Sequence, residues 1–179
     1  CEIHPFSAPF EKWADEGLRG VILTGGPSSV YADGAPRLGR KLLSLKVPVL
    51  GICYGMQVVN HMMGRGVAPA RVGEYGHTRL RVLGGRLLRG IGPETVVYMN
   101  HADFVSEVPE GFAVEASTEN CPVAAFANEA LALYAVQFHP EVNHTVEGRA
   151  VFRNFVLDIC GCAGDYRAQD QIGEMLERI

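Results

Sequence analysis

One short segment constrains the fold of this chain more than any other. Residues 47–52 form an apolar run, Val-Pro-Val-Leu-Gly-Ile, that leads directly into Gly51-Ile52-Cys53-Tyr54-Gly55. The following residues keep a helical spacing as far as Gly64, with Met56, Val59, Asn60 and Met63 along one side. A buried strand that turns at once into a helix predicts a βαβ arrangement and places Cys53 on the turn.

A second apolar run supports the same architecture. Residues 20–24 have the pattern of a buried strand and end at the turn-forming Gly25-Gly26-Pro27. Between the two strands, residues 35–45 show a helix-like spacing of Leu38, Leu42 and Leu45. We therefore predict an α/β fold with a mainly parallel sheet flanked by helices, and an active site at the carboxyl ends of the strands.

The middle and the two ends of the chain have different patterns. The middle of the chain contains short strand-like runs at residues 80–83, 95–99, 113–117, 123–127 and 132–137. These runs predict some antiparallel pairing. Residues 147–159 carry the apolar stripe of a helix. Residues 1–6 have a strand-like pattern, and an apolar stripe near Ile179 lacks a cover. We expect the natural protein to continue beyond both ends of this segment.

Composition restricts the class of protein. The chain has 179 residues, 47% of them hydrophobic, which suits one well-buried domain. Its formal net charge is -4 and its Lys and Arg residues form no block, which argues against binding to nucleic acid or to an anionic membrane. Its apolar runs are far shorter than the roughly 20 residues of a spanning helix. Five cysteines, an odd number without a secretory signal, favour a cytoplasmic location.

The turn at Cys53 has the Gly-x-nucleophile-x-Gly form of an elbow. Small residues on either side of the nucleophile let the strand and the helix approach closely, while the turn strains the backbone at the nucleophile itself. The start of the following helix favours a thiolate, the reactive form of cysteine. A cysteine in an apolar run is more often an inert core residue, so the elbow needs a second motif to support it.

That second motif is Phe138-His139-Pro140-Glu141, which directly follows a strand-like run. A histidine with a carboxylate two residues later offers a base and the group that orients it in one short loop. A lone histidine near a strand end is more often structural, but the two motifs together predict a triad of Cys53, His139 and Glu141.

Other candidate sites have less suitable spacing. Cys160-Gly161-Cys162 lacks the two-residue gap and the second ligand pair of a zinc site, and we predict no metal site in the chain. We interpret His101 and His144 as hydrogen-bonded loop anchors, and His4, His61 and His77 as surface or packing residues. The loop at residues 25–29 lacks the lysine of a phosphate-binding loop, so an oxyanion-hole loop is favoured.

These motifs together resemble those of class I (triad) glutamine amidotransferases, whose fold is flavodoxin-like. The resemblance rests on residues 25–29, the elbow at residues 51–57 and Phe138-His139-Pro140-Glu141-Val142. Within that class the chain is most similar to the amidotransferase domains of GMP synthases, through residues 24–35, 116–120 and 158–162 and the loop containing His144 and Thr145.

The resemblance implies a role for each matching residue. Cys53 would attack glutamine, with His139 and Glu141 as the base and the orienting group. The backbone N–H groups of Gly26 and Tyr54 would form the oxyanion hole. The residues implied to contact bound glutamine are Gln57, Asn100, Ala102 and Asp103.

The resemblance also implies a domain plan and partners. Residues 1–165 would be the amidotransferase domain, without the family's first strand and helix, and residues 166–179 a linker helix towards a synthetase. That synthetase, fused or separate, would use ATP and Mg²⁺ to convert XMP to GMP, and a homodimer could form through it. Two alternatives stay open: an amidotransferase of anthranilate, aminodeoxychorismate or CTP synthesis, and a non-catalytic regulatory module of the same fold.

Overall fold

The computed structural model describes residues 1–37, 39 and 41–165. Seven strands form its sheet: β1 (Val21–Leu23), β2 (Val49–Ile52), β3 (Ala68–Val82), β4 (Glu94–Phe104), β5 (Ala113–Ser117), β6 (Ala125–Asn128) and β7 (Leu133–Val136). The helices are α1 (Lys41–Ser44), α2 (Tyr54–Met62) and α3 (Gly148–Arg153), which continues as a π-helical turn (Asn154–Ile159). A 3-10 turn covers Phe10–Lys12.

The strands lie in the order β1-β2-β7-β6-β5-β3-β4. The pairs β1–β2 and β2–β7 are parallel, and the other four pairings among the described residues are antiparallel. The predicted α/β class is confirmed. Antiparallel pairing is more extensive than the sequence pattern suggested, but the predicted parallel strands are adjacent.

Alternating side chains of the central strands fill two cores, one on each face of the sheet. On β7, Leu133 and Ala135 face the side covered by α2, while Tyr134 and Val136 face the side covered by α3. Burial on both faces explains why this strand is an almost continuous apolar run. None of the helices in the described part of the chain is long and apolar enough to cross a bilayer.

Two predicted elements are shorter than expected or absent. Of the helix predicted over residues 35–45, the structure gives Lys41–Ser44, after Pro36 and Gly39, which disfavour a longer helix; Leu38 lies outside the described residues. Residues 1–6 are not a strand, and Ile3 and Phe6 are exposed. An extended segment becomes a strand only where a neighbour offers hydrogen bonds, and β1 forms the edge of the described sheet.

Two other elements are longer than their patterns indicated. The run predicted at residues 80–83 is the end of β3, a 15-residue strand whose glycines and Pro69 obscured its alternation. The predicted helix at 147–159 is helical from residue 148, and it places Val151 and Phe155 in the core as expected. The predicted linker helix at 166–179, with its apolar stripe, lies outside the described residues.

Candidate active site

The site lies where three parallel strands end at one edge of the sheet. Leu23 of β1 is in register with Gly51 of β2, and Ile52 of β2 is in register with Val136 of β7. The segments that follow these strands therefore emerge side by side. They carry the predicted glycine loop, Cys53 and the His139 motif, so the strand register alone brings together motifs that are far apart in sequence.

Cys53 occupies a strained turn between β2 and α2. Its φ is 51° and its ψ is -105°, in a region that non-glycine residues rarely adopt, and its N–H donates to the carbonyl of Val136 at 2.8 Å. A Cβ on Gly55 would lie 2.2 Å from the carbonyl oxygen of Leu23, and one on Gly51 would lie 2.6 Å from Gly55. The predicted need for small residues on either side of the cysteine is therefore confirmed.

The loop after β7 places His139 against its carboxylate. Nδ1 of His139 donates to Oε1 of Glu141 at 2.7 Å. The backbone N–H of His139 donates to the carbonyl of Tyr98 at 3.0 Å, and Thr145 Oγ1 donates to the carbonyl of His139 at 2.6 Å. These three bonds fix the imidazole and leave its Nε2 buried, without a hydrogen bond of normal geometry to the described protein.

Because Glu141 holds Nδ1, the interaction of His139 with Cys53 falls to Nε2. Interaction with Cys53, followed by the hydrogen bond to Glu141, raises the pKa of His139 to about 10, although burial opposes this shift. Burial also opposes ionisation of Glu141, but the hydrogen bond from His139 outweighs it and lowers the pKa of that carboxyl. The structure thus brings Cys53, His139 and Glu141 into one interacting group.

The glycine loop after β1 closes the group from one side. A Cβ on Gly25 would lie 2.9 Å from Cε1 of His139 and 3.6 Å from Cβ of Cys53, so a glycine lets the loop contact both residues. The Cβ position of Gly26 lies 3.8 Å from the ring of Tyr54, the first residue of α2. The N–H groups of a first helical turn have no partners within the helix and are suited to holding negative charge.

The residues that the resemblance assigned to glutamine binding lie in β4 and α2. Asn100, Ala102 and Asp103 belong to β4, which pairs with β3, so the expected loop is a strand with an irregular register. The carbonyl of Asn100 lies 3.8 Å from Sγ of Cys53. Buried Gln57 donates its amide to the carbonyl of Asp103 at 2.9 Å, which ties α2 to this strand beside Cys53.

Sequence reasoning missed Gln137. Its side chain is fully buried, and its Nε2 lies 3.7 Å from Sγ of Cys53. The only available signal was a polar residue at the end of an otherwise apolar strand, immediately before Phe138 and His139.

A buried polar group of Glu74, His101 and Cys121 was also missed. Their donor atoms lie within 4.8 Å of one another, and they are of types that bind metal ions. They are already hydrogen-bonded: Nε2 of His101 lies 3.3 Å from Glu74 Oε2, Thr118 donates to Glu74 Oε1 at 2.6 Å, and Cys121 Sγ donates to the carbonyl of Val123 at 3.3 Å. His101 is thus a hydrogen-bonded anchor, although in β4 and not in a loop.

An α/β fold with a cysteine, a histidine and a carboxylate at a strand-to-helix elbow defines a class of proteins equipped for nucleophilic thiol chemistry. Comparison with known proteins identifies the family. The model of the class-I glutamine amidotransferase family matches residues 1–159, and the chain belongs to this family.

Two relatives within this family are similar to the chain over its whole length. The chain is 44% identical over 180 residues to the GMP synthase [glutamine-hydrolyzing] of Caldicellulosiruptor saccharolyticus, and 45% identical over 181 residues to that of Symbiobacterium thermophilum. Each match covers 100% of this chain but 35% of the relative, so the chain spans about a third of their length.

A solved structure supports the same family. A putative GMP synthase subunit from Thermoplasma acidophilum superposes with a TM-score of 0.68 and 32% identity, over 82% of this chain and 74% of that one. A glutamine amido transferase from Methylobacillus flagellatus superposes with a TM-score of 0.60 and 26% identity, over 70% and 53% of the two chains.

Proposed function

We propose that this chain hydrolyses glutamine to glutamate and ammonia, with Cys53 as nucleophile, His139 as acid and base, and Glu141 as the group that orients His139. The observation that carries the proposal is the mutual placement of Cys53 and His139 at one edge of the sheet, where His139 interacts with Cys53 and its buried Nε2 has no other hydrogen-bond partner among the described residues. Membership of the amidotransferase family supports glutamine as the substrate.

The chemistry follows from the positions of these groups. The sulfur of Cys53 attacks the side-chain amide carbon of glutamine, and the resulting oxyanion accepts hydrogen bonds from the backbone N–H groups of Gly26 and Tyr54. The carbon–nitrogen bond then breaks, and His139 gives its proton to the departing ammonia. A raised pKa of about 10 keeps the imidazole protonated at neutral pH, as this acid step requires.

The second half of the reaction hydrolyses the thioester and frees Cys53. His139, now neutral, takes a proton from a water molecule that attacks the thioester carbon. The carbon–sulfur bond breaks, glutamate leaves, and the Cys53 thiolate and the protonated imidazole of His139 are restored. Gln57, Asn100, Ala102 and Asp103 are assigned to holding glutamine, because Gln57 joins the β4 segment and Asn100 lies beside the sulfur.

The ammonia is assigned to GMP synthesis because the full-length relatives carry that name. A synthetase portion, either fused or separate, would bind ATP and Mg²⁺ and aminate XMP to GMP, and no residue of this chain is assigned to hold either cofactor. A mixture of this chain, a relative's synthetase portion, XMP, ATP and glutamine is expected to form GMP. The assignment of the synthetase as partner would be wrong if the mixture formed glutamate but no GMP, although the same synthetase still formed GMP from added ammonia.

Replacement of the nucleophile tests the glutaminase activity. Cys53→Ala is expected to lower glutamine hydrolysis by at least about 10³-fold, because the attacking atom is lost while the small buried change leaves the fold intact. Release of glutamate measures the rate, and a thermal melt checks the fold. Cys162→Ala is the matched control and is expected to retain the parental rate.

Covalent labelling tests the assignment of Cys53 as nucleophile without measuring glutamine hydrolysis. The electrophilic glutamine analogue 6-diazo-5-oxo-L-norleucine is expected to label the Cys53 peptide of the parent and of Cys162→Ala, as read by mass spectrometry. If Cys53→Ala hydrolysed glutamine at the parental rate, the assignment of Cys53 as nucleophile would be wrong.

A further inference from the structure

Gln137 is a residue of the site whose burial is not explained by a contribution to stability. It follows the last residue of β7 and is 0% exposed. Its amide Oε1 is buried without a hydrogen-bond partner among the described residues. The side-chain hydrogen bond that the structure gives Gln137 runs from Nε2 to Sγ of Cys53, at 3.7 Å. A buried amide with one unsatisfied end destabilises the fold, so a leucine or methionine at this position would pack at a lower cost.

Asn60 of α2 shows the contrast. It is also a buried amide with an unpaired oxygen, but its Nδ2 donates to the carbonyl of Gly66 at 2.9 Å and so secures the end of the helix. That hydrogen bond gives Asn60 a structural role and explains why the residue is buried. The corresponding bond of Gln137 ends on the sulfur proposed to react, 84 positions earlier in the chain.

The sulfur therefore lies between an acceptor and a donor. The carbonyl of Asn100, 3.8 Å away, can accept a hydrogen bond only from the thiol form. The amide N–H of Gln137 can donate to the thiolate, and a hydrogen bond to a charged group is stronger than one to a neutral group. Gln137 thus favours the thiolate, as the protonated imidazole of His139 also does, whereas Asn100 favours the thiol. Loss of Gln137 would remove one of the groups that favour the thiolate and leave the influence of Asn100 unchanged.

We propose that Gln137 is a further catalytic residue, whose amide holds the Cys53 sulfur and stabilises it as the thiolate before attack and again when it leaves the thioester. This inference rests on the proposed role of Cys53 as nucleophile and extends it. It assigns to the residue that follows β7 a function separate from that of His139, two positions later.

Alkylation of the thiol in the full chain tests the proposal without glutamine. Iodoacetamide reacts with thiolate, so the rate at which the Cys53 peptide is modified between pH 5 and pH 9 reports how much thiolate is present. Gln137→Met keeps the volume and removes the donor. Its rate at pH 7 is expected to fall about tenfold, the size of one hydrogen bond to a charged group, and its profile to move to higher pH.

Asn60→Leu is the matched control, because it also removes a buried amide with an unpaired oxygen. It is expected to change the melting temperature while leaving the alkylation profile of Cys53 at that of the parent. Gln137→Glu is the second variant, since it keeps size and polarity. Its carboxylate would oppose the thiolate and shift the profile to higher pH than in the parent.

Steady-state kinetics with glutamine distinguish a failure of the role of Gln137 from a failure of the proposed glutaminase function. With glutamine as substrate, Gln137→Met is expected to lower kcat about tenfold with KM within about twofold, because the side-chain amide of Gln137 bonds to the reacting sulfur. A parental alkylation profile in either folded variant would overturn the role of Gln137, even if Cys53 remains essential. A shifted profile in a chain whose Cys53→Ala variant still hydrolyses glutamine would instead overturn the proposed function.

Discussion

Three side chains in the site depend on one another for their charge. His139 holds its proton because Cys53 and Glu141 both face it, and Glu141 stays ionised because His139 donates to it. The carboxylate also selects the orientation of the ring, since the bond to Nδ1 turns Nε2 towards the sulfur. At the scale of single residues, the site is therefore one coupled unit.

Glu141→Gln tests this coupling. The amide keeps the shape of the side chain but removes its charge, so the pKa of His139 is expected to fall below about 10 while the contribution of Cys53 remains. We also expect kcat to fall about 10²-fold, because the charged imidazole loses its stabilising partner.

An NMR titration of the His139 ring measures the first effect and glutamate release the second. Glu16→Gln, at an exposed position, is the control and should change neither. An unchanged titration of His139 in Glu141→Gln would mean that the 2.7 Å contact has no electrostatic role.

The elbow depends on how closely helix α2 approaches strand β1. Gly55 lies in the first turn of α2, and its missing side chain lets the helix backbone rest against the carbonyl of Leu23. Since the obstacle is backbone and not a flexible side chain, an added methyl group cannot be accommodated by a rotamer change. At the scale of elements, the glycines set the separation that aims the sulfur of Cys53 out of the sheet edge.

Gly55→Ala is expected to lower the free energy of unfolding by about 1–3 kcal/mol, because the helix must move away from β1. The same movement displaces Cys53, so glutamine hydrolysis should fall more steeply than stability alone predicts. Urea unfolding measures the first effect.

Gly92→Ala is the matched control. Its Cβ would meet only the carbonyl of Glu94 at an ordinary 3.7 Å, so its stability should stay within about 0.5 kcal/mol of the parent. Equal stability of Gly55→Ala and the parent would show that the helix and the strand are not in tight contact.

Buried ionisable groups make the stability of the whole molecule depend on pH. Burial, with the charge of Glu129 as a second cause, raises the pKa of Glu115 in β5 from 4.5 to about 7. A carboxyl with a raised pKa contributes stability below pH 4.5 that is lost as pH rises through 7. The contribution of His139 is complete below pH 6.5 and is lost as pH rises through about 10. Both groups therefore favour mildly acidic conditions.

Glu115→Gln tests this account. Removing the buried charge is expected to raise the free energy of unfolding at pH 8 by roughly 1–3 kcal/mol and to have little effect at pH 4, where both side chains are neutral. Urea unfolding at the two pH values measures the difference.

The exposed Glu110→Gln is the control and should not change the pH dependence. A Glu115→Gln protein that is less stable than the parent at pH 8 would contradict the assignment of a destabilising buried charge.

Local features of the sequence determined the elbow and the class of fold. Apolar runs, glycines and helical spacing act over a few residues, so β1, β2, α2 and the turn at Cys53 were predictable without knowledge of distant contacts. The two motifs also predicted a triad of Cys53, His139 and Glu141, but the parallel pairing of β7 with β2, which places the two motifs side by side, was supplied by the tertiary structure.

Tertiary structure alone decided the strand order, the length of β3, and the contacts of Gln137 and Glu74. The bond from Gln137 to Cys53 joins residues 84 positions apart, and that from His101 to Glu74 joins residues 27 apart. No local pattern specifies such contacts, since the energy of burying a polar group is set by the partner that the fold supplies.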